Sequence, residues 1–115
     1  MHVLALVTQK GGSGKSTLAV GLAVAAMTSG ERVALIEADP QGTIAKWKER
    51  RAGCYPRVER IVHAGDIDQV LLHLEAEGVW LAIIDTAATH NTAAMRVIAR
   101  ADFCLSCARN DHPLR

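Results

Sequence analysis

Lys10-Gly11-Gly12-Ser13-Gly14-Lys15-Ser16-Thr17 stands between a continuous apolar run, Val3 to Val7, and a second apolar segment, Ser16 to Ser29. Read in order, this is a buried strand, a glycine-rich loop and a helix, the context that a phosphate-cradling loop requires. Glycines let the backbone curl so that successive N–H groups point inward at phosphate oxygens. The helix that follows adds its free N–H groups and the positive end of its dipole. Lys15 supplies a point charge to β- and γ-phosphates, the Ser16 hydroxyl is positioned to bind Mg²⁺, and Thr17 approaches an α-phosphate. The candidate binding set is therefore Gly11, Gly12, Ser13, Gly14, Lys15, Ser16 and Thr17. A glycine turn that merely precedes a helix would not need the lysine and hydroxyl at this spacing.

Outward from the loop, the chain alternates strand and helix. Gly30 is placed to stop the first helix, which is apolar almost all round and is expected to be well buried. Arg32 to Glu37 reads as a second strand, Thr43 to Arg51 as a short polar helix, and Arg57 to His63 as a strand nearer a sheet edge. Asp66 is expected to cap a helix running to about Glu77, ended by Gly78. Val79 to Ile84 is a fourth strand, Asn91 to Arg100 another helix, and Phe103 to Cys107 a fifth strand. The alternation predicts an α/β fold of the Rossmann-like P-loop type: a mostly parallel sheet of about five strands, with helices on both faces. One domain spanning 1–115 accommodates the pattern.

Two acidic positions fall at strand ends. Leu81-Ala82-Ile83-Ile84-Asp85-Thr86 is an apolar strand delivering a carboxylate beside the loop, the pattern that serves Mg²⁺ through water. The C-terminal edge of a parallel sheet is also where such folds bind ligands. Glu37-Ala38-Asp39-Pro40-Gln41-Gly42 ends the second strand, and its proline and glycine fix a turn that aims Asp39 at the phosphates. The other reading of that turn is a capped start for the Thr43 helix.

Composition narrows the class. Half of the 115 residues are hydrophobic and formal net charge is +1, so the whole chain is not an electrostatic nucleic-acid binder. The densest basic cluster, Lys46, Lys48, Arg50 and Arg51, reads as a solvated helix face with DNA contact as its alternative. Trp47 beside it reads as a partial core anchor. Cys54, Cys104 and Cys107 do not form a secreted disulfide framework. Cys104 and Cys107 lack a second pair for zinc, and ordinary burial in the strand is expected. The apolar run Leu18 to Met27 is too short to span a bilayer. A cytosolic, reduced setting is the expectation.

Lys10-Gly11-Gly12-Ser13-Gly14-Lys15-Ser16, with Gln9 where the ordinary loop has glycine, resembles the deviant Walker A signature of the ParA/MinD group of ATPases. Glu37 to Gly42 resembles the D-x-D-P-Q-G motif of the ParA family, with Glu37 where that family usually has Asp. The resemblance runs from Met1 to about Ala108. It implies ATP and Mg²⁺ as the bound species, with Ser16, Asp39 and Asp85 around the metal. It also implies catalytic roles for Lys10, Lys15 and Asp39. Lys10 would reach across an ATP-dependent homodimer to the partner's nucleotide, and Asp39 would orient the attacking water. A ParB-like adaptor, non-specific nucleoid DNA and a cytoplasmic, nucleoid-associated location follow, with no membrane expected. The alternatives are a MinD-type membrane-associated division regulator and a nucleotide-binding module without turnover. Beside the family, the chain looks like the small kind without an N-terminal DNA-binding domain, shortened at its C-terminus. The adenine-contacting residues would lie in the part that is lacking.

Overall fold

In a computed structural model of the chain, residues 1–7, 14–38, 42–86 and 92–106 are described, without the side chains of 92 and 93. Five strands form one sheet: β1 (His2–Val7), β2 (Val33–Glu37), β3 (Arg57–Arg60), β4 (Leu81–Asp85) and β5 (Phe103–Ser106). Four helices alternate with them: α1 (Lys15–Thr28), α2 (Thr43–Glu49), α3 (Ile67–Ala76) and α4 (Thr92–Ile98). The strand order is β3-β2-β4-β1-β5, and every pairing is parallel. The α/β, P-loop-type architecture predicted from the alternation is the one observed.

Parallel strands buried on both faces need apolar residues at every position, and β2 and β4 supply them. Successive side chains then divide between two cores. Leu6, Val33, Leu35 and Ile83 pack with Ala19 and Ala23 of α1 and Ile44 of α2. Val3, Ala5, Ala34, Ile36, Ala82 and Ile84 pack on the opposite face with Ile67 and Leu74 of α3 and Val97 of α4. Leu35, Ile36, Ile83 and Ile84 are wholly enclosed. Cutting any one of them to Ala costs about 2–5 kcal/mol in such a setting.

Cα register aligns the sheet's C-terminal edge. Arg60 stands beside Glu37, Glu37 beside Asp85, Asp85 beside Leu6, and Leu6 beside Leu105. Glu37 and Asp85 share the parity of Leu35 and Ile83, so both carboxylates face α1 and α2.

Several expectations need correction. Helix α1 is not well buried. Lys15, Ala19 and Ala23 alone are enclosed, while Leu18 is exposed on the outer side. An all-apolar helix on a two-faced sheet still has only one side to lay down, and here its alanines take it. Asp66 makes no side-chain cap. It closes a short 3-10 turn, Ala64–Asp66, in helical conformation, so its carboxylate is not presented to the α3 amides. The third strand stops at Arg60 and not His63, although Ile61 N–H still donates to Glu37 O at 3.1 Å; Val62 is turned out to solvent. The fourth strand begins at Leu81, because Val79 and Trp80 are still joined to Leu74 and Arg32 carbonyls as the chain leaves α3. Cys104 is exposed where burial was expected, since β5 is an edge strand whose four residues all face solvent. Cys107 lies outside the described residues.

Other readings hold. Gly30 and Gly78 end α1 and α3 with positive φ. Trp47 is half-buried in the α1/α2 core, with the Arg51 guanidinium 5.3 Å over its ring. Lys46, Arg50 and Arg51 are exposed on and just after α2, while Lys48 is half-buried and donates from Nζ to Gly53 O at 2.8 Å. No helix among the described residues is long and apolar enough to cross a membrane.

Candidate functional site

The site is assembled where β1 and β4 end and α1 begins. Gly14 is the N-cap of α1 at φ 78, a left-handed conformation that a side chain would strain. Its carbonyl accepts the first helical bond, from Leu18 N–H at 2.9 Å. Gly14 has no side chain to satisfy the first-turn N–H groups, and no acidic residue lies in that turn. A helix start left in this way is a ready anion-binding end.

Lys15 and Ser16 occupy the first turn and converge on Asp85 from the neighbouring strand. Lys15 Nζ lies 2.9 Å from Asp85 Oδ1, and both side chains are enclosed, at 6% and 0% exposure. Ser16 Oγ donates to Asp85 Oδ2 at 2.8 Å. Oδ1 has the charge of Lys15 beside it but no bond of hydrogen-bonding geometry among the described residues. A buried carboxylate oxygen held only by an ion pair retains capacity for a further ligand.

Neighbouring bonds fix the strand ends on which these groups sit. Thr86, buried, donates from Oγ1 to Leu6 O at 2.8 Å and so ties the end of β4 to the end of β1. Ala38 N–H donates to Asp85 O at 2.9 Å and ties β2 to β4. At the opposite end of β1, Val3 and Asp102 exchange two bonds of 2.8 Å, Val3 N–H to the carboxylate and Asp102 N–H to Val3 O, which sets β5 alongside.

Of the residues singled out from sequence, Lys15, Ser16 and Asp85 come together, Gly14 shapes the turn into them, and Thr17 is exposed at the edge. Lys10, Gly11, Gly12, Ser13 and Asp39 lie outside the described residues. Sequence reasoning gave Glu37 little weight, but the structure makes it the buried centre of a small network. Its Oε2 accepts Ile44 N–H at 2.7 Å, and its Oε1 accepts Ala45 N–H at 3.3 Å and sits 3.4 Å from Arg60 Nε. The available signal was a carboxylate closing an otherwise apolar strand shortly before a helix start.

The donor set fits a phosphate chain with a small, oxygen-seeking divalent cation. Lys15 and the open N-terminus of α1 suit phosphate oxygens. Ser16 Oγ and the Asp85 carboxylate are hard oxygen donors of the kind Mg²⁺ takes, directly or through water.

Comparison with known proteins agrees with this arrangement. The family model described as the CobQ/CobB/MinD/ParA nucleotide binding domain matches residues 4–101. The chain is 37% identical over 102 residues to maintenance of carboxysome distribution protein A from Gloeobacter kilaueensis, covering 87% of this chain and 45% of that protein. It is 57% identical over 42 residues to chromosome partitioning protein ParA from Caulobacter vibrioides, covering 36% of this chain and 16% of that one. Protein virC1 from Rhizobium radiobacter is 30% identical over 112 residues, 91% of this chain and 48% of its own length. The chain thus spans at most about half the length of these curated relatives. Among solved structures, FlhF complexed with GTP/Mg²⁺ superposes with a TM-score of 0.67 at 19% identity, over 90% of this chain and 42% of that one, a likeness of fold.

Proposed function

The chain belongs to the CobQ/CobB/MinD/ParA nucleotide-binding family, and from that premise we propose that it is a ParA-like ATPase acting in the partitioning of DNA or of another cargo. One observation carries the reading: Lys15 and Ser16, in the first turn of α1, meet the buried Asp85 at the C-terminal end of β4. Lysine, hydroxyl and strand-end carboxylate are the three groups a phosphate-and-magnesium site needs, and they converge on one spot. The carboxysome-distribution and chromosome-partitioning relatives support the cellular role by their names.

In this reading ATP is the substrate. Gly11 to Thr17 would bind its phosphates, Lys15 would leave Asp85 for the β- and γ-phosphates, and Ser16 and Asp85, with Asp39, would hold Mg²⁺. Mg²⁺ held there would supply positive charge against the charge that develops on the phosphates. Asp39 orients water in line with the γ-phosphorus. The new P–O bond forms as the bond to the β-bridging oxygen breaks, giving ADP and inorganic phosphate. Positioning and charge stabilisation supply the acceleration, with no covalent intermediate. Lys10 acts across an ATP-dependent homodimer. A ParB-like adaptor stimulates turnover, and non-specific DNA is the cytoplasmic dimer's support.

Titration of the purified chain with ATP, with and without Mg²⁺, tests the binding half. Mg²⁺-dependent binding is expected. No binding, or an affinity indifferent to Mg²⁺, would sink the assignment.

A further inference from the structure

Glu37 is a carboxylate side chain with no exposed surface, at the end of an otherwise apolar strand. Burying a carboxylate costs several kcal/mol unless donors surround it. Two of its donors are the Ile44 and Ala45 amides, at 2.7 and 3.3 Å. These belong to the first turn of α2, whose N–H groups have no partner within the helix. The ordinary solution is a Ser, Thr or Asp at the N-cap. Here the N-cap is Gly42, without a side chain, and the cap comes instead from the end of β2. Arg60, from the end of β3, completes the arrangement. Its Nε lies 3.4 Å from Glu37, and its guanidinium packs so closely on Gly42 that a Cβ there would meet it at 3.1 Å.

The consequence concerns the three residues 39–41. The residue before them, Ala38, is tied by its N–H to Asp85 O at 2.9 Å. The residue after them, Gly42, is held beneath Arg60 at the head of the turn that Glu37 caps. Both ends of the connection that carries Asp39 are thus referred to the row that contains Glu37 and Asp85. We propose that Glu37 is a positioning residue which, with Arg60, fixes the start of α2 and so sets the placement of Asp39 for hydrolysis. Its catalytic half rests on the ATPase reading above; its anchoring half does not.

The test compares wild type with E37Q and E37D on the full chain by three measurements: amide exchange at Ile44 and Ala45 without nucleotide, Mg·ATP affinity, and turnover. Gln keeps the size, loses the charge, and turns an NH₂ toward a donor. Asp keeps the charge and both oxygens, and α2 can settle toward it. In E37Q, exchange at the two amides should rise and turnover fall by about tenfold, the scale of one charge-assisted hydrogen bond. Mg·ATP affinity should fall less than turnover, because Lys15, Ser16 and Asp85 are untouched and only the Asp39 share of metal binding is disturbed. E37D should restore most of both losses. Unchanged exchange in E37Q overturns the anchoring, and so does wild-type turnover in E37Q for the positioning role. Faster exchange in E37Q with no turnover even in wild type would keep the anchor but overturn the ATPase reading and the catalytic half with it.

Discussion

Lys15 Nζ and Asp85 Oδ1 face each other across 2.9 Å, enclosed between α1 and the end of β4. Each neutralises the other, and each is also a group that a nucleotide–metal complex would recruit. The pair therefore joins stability to ligand binding. Breaking a buried pair from one side costs about 3–5 kcal/mol, because the remaining charge is left without compensation. Lys15→Met should lower unfolding free energy by about that amount, whereas Lys15→Met with Asp85→Leu should recover much of the loss. A denaturant double-mutant cycle measures this; additive losses would mean that the pair is not coupled.

Ser16 gives a cleaner separation of binding from stability. Its hydroxyl is half-buried and its one described bond goes to Asp85 Oδ2 at 2.8 Å. Ser16→Ala should cost only about 1 kcal/mol of stability. Nucleotide titrations with and without Mg²⁺ should then show the metal's contribution to affinity and turnover largely gone. Undiminished Mg²⁺ dependence would place the metal on other residues.

Gly42 combines a left-handed φ of 71 with the Arg60 guanidinium where a Cβ would be, at 3.1 Å. Gly42→Ala should destabilise by about 1–2 kcal/mol through backbone strain. The same substitution at Gly21, which is in mid-helix with open space around it, should stabilise by about 0.5–1 kcal/mol. Thermal melts of the two variants should shift in opposite directions.

A small pH effect sits at the far side of the molecule. The Arg100 guanidinium bonded to Asp68 holds that carboxyl below its ordinary value of 3.8. A folded-state pKa below the unfolded one gives stability that is present above pH 3.8 and lost as pH falls through the lowered value. Asp68→Asn should remove this part of the acid dependence. The pair is exposed, so added salt should shrink the difference between the variants. Melting temperatures followed from pH 5 downward, at low and high salt, check the sign.

The loop and the strand–helix alternation made the architecture legible, because a two-sided parallel sheet leaves long apolar runs that end abruptly at polar groups. Asp85 was visible for the same reason, as the first charge after the apolar run Val79 to Ile84. The face that α1 presents was not legible. Its sequence is apolar on every side, so periodicity carries no direction, and only packing selects Ala19 and Ala23 over Leu18. Nor was Glu37's partner legible. A side chain capping a helix start seven residues ahead follows no local spacing rule and depends on where α2 turns back over the sheet. The exposure of β5 was equally hidden: Phe103 and Leu105 lie in the expected fifth strand and in register with Leu4 and Leu6, yet both are exposed at the edge of the described sheet.

The claim that most needs testing is hydrolysis by a dimer. Steady-state release of phosphate from Mg·ATP, measured across protein concentration for wild type and Lys10→Ala, addresses it directly. The account predicts that wild-type activity per molecule rises with concentration, and that Lys10→Ala still binds nucleotide but loses this rise. Activity per molecule that stays constant with concentration and is unchanged in Lys10→Ala, or no phosphate release above a Lys15→Met control, would contradict it.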